Sequence, residues 1–128
     1  MSKNIKIPFS EKTNTEDVKV RFITDIPYFG PGAARLLELI EEKESVSIAT
    51  KAMGMSYSKG WKILHKIKAA TGYDAVITQK GGNNGGTTVL TPEGEQLLHS
   101  FRAYEADVTN YAHERLSHYV DKECGNND

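Results

Sequence analysis

The chain has 128 residues, the length of one modest domain, with 38% hydrophobic and 26% charged residues, a composition that argues against a disordered or membrane-embedded protein. The lone cysteine, Cys124, excludes an internal disulfide framework and a multi-cysteine zinc site. No stretch is apolar enough for a signal peptide or a membrane span, so we expect a cytoplasmic protein without a membrane partner.

The net charge of −1 is unevenly distributed along the chain. Six lysines and one acid, Asp74, lie between Lys51 and Lys80 and give this segment a charge of +5, whereas eight acids and three bases from Pro92 onward give −5. A confined basic segment is typical of a DNA-contacting face. Because a solvated helix surface produces the same pattern, the charge alone does not decide between the two.

The first third of the chain predicts an arm, a strand and a helix. Residues 1–17 are polar and poorly patterned, which favours a flexible N-terminal arm with one short strand at 5–9. Alternating apolar and polar residues over 18–24 predict a strand with one buried face. Apolar residues then recur at helical spacing and predict a helix over 31–43: Ala33, Leu36, Leu37 and Ile40.

Two helix starts follow in close succession. Ser47 is predicted to cap a short helix that ends at Gly54, and Ser56 is predicted to cap a helix over 57–70 that ends at Thr71 and Gly72. Two helices joined by three or four residues with a glycine are the signature of a helix-turn-helix. The inward positions of the first helix are predicted to be Ile48, Ala49, Ala52 and Met53.

The helix over 57–70 has one apolar and one basic side. Gly60, Trp61, Leu64 and Ile67 fall on the first side of a helical wheel, which places Trp61 in the core. The other side predicts a recognition helix in the major groove, with base contacts near its N-terminus and lysines on phosphates. An ordinary amphipathic helix with solvated lysines is the alternative, and the preceding short helix and glycine turn favour the recognition helix.

Two β-rich runs, 75–79 and 87–90, flank a glycine-rich loop and predict a hairpin. The loop lacks the Walker pattern and does not open onto a helix, which disfavours nucleotide binding. We interpret 80–86 as a wing that contacts the DNA backbone or minor groove, with a tip free of contacts as the alternative. The predicted DNA-binding residues of the whole chain are Ser47, Ser56, Tyr57, Ser58, Lys59, Lys62, His65, Lys66, Lys80, Asn83 and Asn84.

Thr91 and Pro92 mark the start of a long helix that is predicted to run to about Tyr119. Its apolar stripe outgrows the core of one small domain, which indicates dimerisation with an identical partner. The alternative is a helix that folds back onto its own domain. The predicted dimer interface consists of Leu97, Phe101, Tyr104, Val108 and Tyr111.

No residue pattern supports catalysis, a metal site or a cofactor. The four histidines, at 65, 99, 113 and 118, have no ligand spacing, and no nucleophile elbow or paired carboxylate set is present. We therefore predict no catalytic residues, no metal and no cofactor, and a protein that is not an enzyme.

The predicted fold class is α+β, mainly α: a winged helix-turn-helix over 18–91, a dimerisation helix over 92–120 and a disordered tail over 121–128. The predicted function is a dimeric, sequence-specific transcriptional regulator that binds double-stranded DNA. A winged-helix protein-interaction module without DNA binding is the alternative.

Over residues 18–111 the chain also resembles the ModE-type molybdate-responsive regulators, whose N-terminal domain is a LysR-like winged helix-turn-helix. The resemblance is carried by Phe29-Gly30-Pro31-Gly32, Leu36-Leu37, Ile40, Met53-Gly54-Met55-Ser56-Tyr57-Ser58-Lys59, Trp61, Gly81-Gly82, Gly85-Gly86 and Leu90-Thr91-Pro92-Glu93-Gly94. It implies that residues 56–66 form the recognition helix, that 80–86 form the wing, and that helices outside this motif form the dimer.

Two features depart from the family pattern. Gly60 stands where members usually have alanine, at an expected cost of about 1 kcal/mol in helix propensity. The full-length regulators continue into molybdate-binding domains for which this chain has no residues, so we expect the molybdate-sensing domain to be absent.

Overall fold

The structure of the protein is a computed structural model that describes residues 4–7, 15–80 and 86–122. The chain divides into two compact units, a winged unit of Lys19–Ala103 and a terminal unit of Met1–Val18 with Tyr104–Asp128. The described elements in chain order are β1 (Ile5–Ile7), β2 (Phe22–Ile23), β3 (Pro27–Phe29), α1 (Pro31–Lys43), α2 (Val46–Ala52), α3 (Tyr57–Thr71), β4 (Val76–Lys80), β5 (Gly86–Leu90), α4 (Pro92–Leu116) and β6 (Val120–Lys122).

The winged unit has the predicted fold, a winged helix-turn-helix in which α2 and α3 are followed by the hairpin of β4 and β5. The boundaries of α1 agree with the sequence prediction. Both caps of α3 also agree: the Ser56 side chain accepts a hydrogen bond from the Lys59 backbone N–H at 3.1 Å, and Gly72 ends the helix at φ 83°. The predicted strand over 18–24 is shorter, because only Phe22 and Ile23 pair with β3.

The predicted start of α2 was wrong by two residues. Ser45, and not Ser47, is the N-cap, and its Oγ accepts a hydrogen bond from the backbone N–H of Ile48 at 3.0 Å. This start brings Val46, Ala49 and Thr50 onto one buried face at helical spacing. Consequently the predicted inward residues Ile48, which is 51% exposed, and Ala52 lie at the surface.

The base of the wing is attached to two helices. The Thr88 N–H donates to the carbonyl of Glu44, the C-cap residue that follows α1, at 3.0 Å. At the other end, the Thr91 hydroxyl donates to the Asp74 carbonyl at 2.6 Å and accepts from the Gly94 N–H at 2.9 Å. Gly94 lies against the Ala75 carbonyl so closely that no Cβ fits there. These bonds fix β4 and β5 to the ends of α1 and α4.

The first part of α4 packs in the core of its own unit, which corrects part of the predicted dimer interface. Phe101 is fully buried, and its ring contacts those of Phe22 and Phe29 edge to face at centroid distances of 5.2 and 5.1 Å. Leu97 is half-buried against the same core. Apolar residues recur at the same spacing whether a helix packs against its own core or against a partner. The periodicity of the apolar stripe on α4 therefore did not distinguish the two cases.

The terminal unit differs most from the prediction. The long helix ends at Leu116, short of the predicted 119–120, and β6 pairs with β1 in parallel, with Ile5 opposite Val120. The predicted disordered tail over 121–128 is therefore wrong for residues 121 and 122, while 123–128 lie outside the described residues. Pairing between the two ends of a chain leaves no local periodicity, which is why the sequence did not reveal it.

Helices α2 and α3 cross closely because Gly60 leaves room for Thr50. A Cβ at position 60 would collide with the Cγ2 of Thr50, which is 2% exposed. The Thr50 hydroxyl cannot turn into that space, since it donates to the carbonyls of Val46 and Ser47 at 2.8 and 3.1 Å. The glycine at position 60 thus has a packing reason, and we interpret Thr50 and Gly60 as a matched pair.

A second long-range interaction joins α1 to α4. The Arg102 guanidinium donates from Nε to Glu38 Oε2 at 2.9 Å and from Nη2 to Oε1 at 3.1 Å. The hydrogen bond from Arg102 is the main reason why the pKa of Glu38 lies below its usual value, and nearby Arg35, at 3.6 Å, lowers it further against the opposing effect of burial. Among the described residues, none of the helices combines the length and the apolar composition that a membrane-spanning segment requires.

We predict that Gly60→Ala lowers the free energy of unfolding by about 1 to 3 kcal/mol, because the added methyl overpacks the helix crossing. In a Thr50→Ala background the same change is expected to stabilise by about 1 kcal/mol through helix propensity. Urea unfolding of the four proteins in this double-mutant cycle measures the coupling. Equal effects of Gly60→Ala in both backgrounds would contradict the matched pair.

We predict that Glu38→Gln lowers the free energy of unfolding by about 1 kcal/mol at pH 7, a modest value because both side chains are one-third exposed. The folded-state pKa of Glu38 is depressed, so its contribution is fully present above the unfolded-state value. It is lost as the pH falls through the folded-state pKa. Chemical unfolding at pH 7 and at pH 3 should show the difference shrinking, with Glu41→Gln as a control on the exposed side of α1.

Candidate nucleic-acid interface

One side of α3 exposes all the side chains that the sequence predicted for DNA contact on this helix. The opposite side, formed by Gly60, Leu64 and Ile67, is buried in the winged unit. We call the exposed set the α3 face. It consists of Tyr57, Ser58, Lys59, Lys62, His65 and Lys66.

The α3 face has an uncompensated positive charge. Among the described residues, no carboxylate lies within ion-pair distance of Lys59, Lys62 or Lys66. The one acid of the basic segment, Asp74, is engaged elsewhere, because its Oδ2 pairs with Lys68 Nζ at 3.1 Å. Three cations without partners on one helix face are suited to a polyanion such as the DNA backbone.

The N-terminus of the face is held in place by the turn before it. Ser56 uses its hydroxyl to cap α3, so its side chain orders the first turn, from which Tyr57 and Ser58 project. Ser47, predicted as a DNA contact, is exposed on α2. The contact between Thr50 and Gly60 holds α2 directly against this end of α3. The packing of α2 and the Ser56 cap together therefore fix the orientation of the first turn of α3.

An aromatic row runs along the edge of the α3 face, and the sequence interpretation missed it. Trp61, predicted to be a core residue, is only half-buried: it packs against the core and also touches two rings of the α3 face. Its centroid lies 6.2 Å from that of Tyr57 and 5.9 Å from that of His65. The signal was present in the sequence, since three aromatic rings recur every fourth residue, which aligns them on a helix.

The wing is described at its base only. Lys80 ends β4 and pairs with Gly86 in the register of the hairpin. Asn83 and Asn84, the other predicted wing contacts, lie outside the described residues. The hairpin confirms that a wing follows α3, and contacts by its tip stay a prediction.

The geometry of the winged unit offers a surface rather than an enclosed chemical site. A cavity of about 290 Å³ lies between the end of α3 and the start of α4, with Ile67, Ala75 and Leu97 among its lining residues. The α3 residue Ile67 lines this cavity from the core side of the helix, away from the lysines of the α3 face. In the described ranges, no three side chains of histidine, cysteine, aspartate or glutamate are grouped to hold a metal ion.

Comparison with known proteins gives relatives of one kind. The chain is 32% identical over 91 residues to the molybdenum transport protein ModE of Azotobacter vinelandii, covering 71% of this chain and 33% of the relative. It is 37% identical over 79 residues to the molybdenum-pterin-binding protein MopB of Rhodobacter capsulatus, covering 60% and 29%. The transcriptional regulator ModE of Haemophilus influenzae is 29% identical over 92 residues, covering 72% and 36%.

These relatives confirm the resemblance that the sequence motifs indicated, and the chain spans about a third of the length of the relatives it matches. No family model matches the chain. Among solved structures, oxidised OxyR of Corynebacterium glutamicum superimposes with a TM-score of 0.46 at 18% identity, covering 68% of this chain and 25% of that one.

Proposed function

We propose, from its homology to ModE-type transcriptional regulators, that this chain is a sequence-specific transcriptional regulator that binds double-stranded DNA. The observation that carries the proposal is the α3 face, with three unpaired lysines on the exposed second helix of a helix-turn-helix. The relatives support a regulatory role, since one of them is named as a transcriptional regulator. The proposed activity is binding, with no catalytic step.

In this proposal α3 enters the major groove, whose width of about 12 Å admits a helix. Tyr57, Ser58 and Lys59 lie at its N-terminal end, where recognition helices meet base edges. Lys62 and Lys66 contact phosphates, which fix the position of the helix without reading the sequence. The wing over 80–86 follows the backbone or the minor groove beside it.

We also propose that the protein binds as a homodimer through the second part of α4. Tyr104 and Tyr111 are 52% and 66% exposed, and Val108 between them is half-buried. Large aromatic side chains at helical spacing on a surface are typical of an interface with another helix. A two-fold dimer would place two recognition helices on half-sites about one turn of DNA apart.

The proposal concerns DNA binding and regulation. Because the chain spans about a third of the relatives it matches, the molybdenum chemistry in their names is not carried over to it. A winged-helix module that binds only proteins is the competing function, and the first experiment below separates the two.

We predict that selection from a random duplex library enriches a two-fold-symmetric site, and that Lys62→Ala and Lys66→Ala weaken its binding. Each change removes one phosphate contact from each protomer, so it should flatten the plot of log affinity against log salt by about 1.8, the value of two contacts per dimer. Fluorescence anisotropy at several salt concentrations measures these slopes. Lys19→Ala, at an exposed position before β2, is the control and should leave the slope unchanged.

Two results would contradict this prediction. Failure of the wild-type protein to enrich any sequence favours the protein-interaction module. Slopes that stay unchanged in both lysine variants would show that the α3 face does not contact phosphates.

We predict that Tyr111→Glu shifts the protein toward the monomer, because a carboxylate in a helix interface loses its hydration. Sedimentation equilibrium should show at least a tenfold weaker dimer, and affinity for the symmetric site should fall far more than affinity for an isolated half-site. The control is Tyr73→Glu, a residue of similar exposure (58%) in the loop before β4. An unchanged monomer–dimer equilibrium in Tyr111→Glu would place the interface elsewhere.

A further inference from the structure

Trp61 connects the core of the winged unit to the side chains of the α3 face. Its indole packs against the core on one side and lies between the Tyr57 and His65 rings, one turn before and one turn after it on α3. The Tyr57 ring meets the indole edge to face, at an interplanar angle of 75°. Trp61 is the only tryptophan of the chain.

This packing restricts a side chain that would otherwise be free to move. Tyr57 is the first residue of α3 and is 55% exposed, and an exposed side chain at a helix terminus normally samples several rotamers. Edge-to-face contact with a ring that is itself held by the core favours one rotamer. A side chain ordered before binding loses less conformational entropy on binding, which strengthens the contact that it makes.

We infer that Trp61 is a positioning residue for sequence reading: it holds Tyr57 so that the phenol ring meets the methyl group of a thymine in the major groove. The inference rests on the proposed function and adds the base that Tyr57 reads. Apolar contact with the C5-methyl group is what distinguishes thymine at this edge. Trp61 acts through Tyr57, without touching the DNA itself.

The test uses the duplex selected by the wild-type protein, with its thymines replaced one at a time by deoxyuridine, which removes only the methyl group. For one thymine in each half-site, we expect wild-type affinity to fall about fourfold, the value of one buried methyl group. Trp61→Leu should bind the thymine and deoxyuridine duplexes equally. Trp61→Phe, which restores an aromatic ring, should recover most of the discrimination.

A loss of discrimination must be separated from a general loss of stability. Ile63→Ala is the matched control, because Ile63 is also half-buried on α3 against the core but is not part of the aromatic row. Thermal unfolding of each variant measures the stability cost. If Ile63→Ala loses the thymine preference as fully as Trp61→Leu does, the inference is overturned.

The route through Tyr57 is tested by a double-mutant cycle. Tyr57→Ala should lose the same fourfold preference, and Tyr57→Ala with Trp61→Leu should lose no more than either change alone. Independent, multiplying losses would overturn the inference, as would a thymine preference that survives Trp61→Leu. These failures leave the proposed function intact, whereas a wild-type protein that selects no site at all removes both.

Discussion

The crossing of α2 and α3 at Thr50 and Gly60 is the constraint on which the geometry of the α3 face depends. The threonine methyl occupies the space of a missing Cβ, and the hydroxyl hydrogen, shared between the carbonyls of Val46 and Ser47, holds the side chain in this rotamer. Because the contact lies near the start of α3, it sets where the first turn of that helix projects. The position of Tyr57 and Ser58 is therefore decided by a buried pair that does not itself reach the surface.

Three contacts between residues that are distant in sequence stabilise the winged unit around this crossing. Glu44, the C-cap residue of α1, accepts a hydrogen bond from Thr88 of the wing, and the Thr91 hydroxyl donates to Asp74 in the loop that follows α3. Arg102 and Glu38 add an ion pair between α4 and α1. The first two contacts hold helix ends, where backbone groups otherwise lack partners, and the ion pair joins the middle of α1 to the middle of α4. Their combined effect is to hold α3 and the base of the wing in one orientation.

The sequence predicted those features that depend on local chemistry, and it failed where the choice was made by tertiary packing. The caps at Ser56 and Gly72 were correct, since a serine hydroxyl at a helix start and a glycine after a helix end satisfy the free backbone groups by local chemistry. Two serines compete at the start of α2, and burial of Val46 decides for Ser45. Phe101 was assigned to a partner because its spacing matches that of Tyr104. The β1–β6 pair had no local signal at all.

The same division applies to the candidate interface. Spacing alone placed the lysines on one side of α3, because a helical wheel requires only the sequence. Whether that charge is neutralised could be seen only in the structure, where Asp74, the one acid of the segment 51–80, is paired with Lys68 outside the α3 face. The position of Trp61 also became clear only in the structure. The helical wheel placed its ring on the core side, whereas the indole is half-buried and also contacts rings of the α3 face. A side chain that lies at the boundary between core and surface can restrict the rotamers of its exposed neighbours, and the contacts of Trp61 with the core and with the Tyr57 ring are the basis of its proposed role.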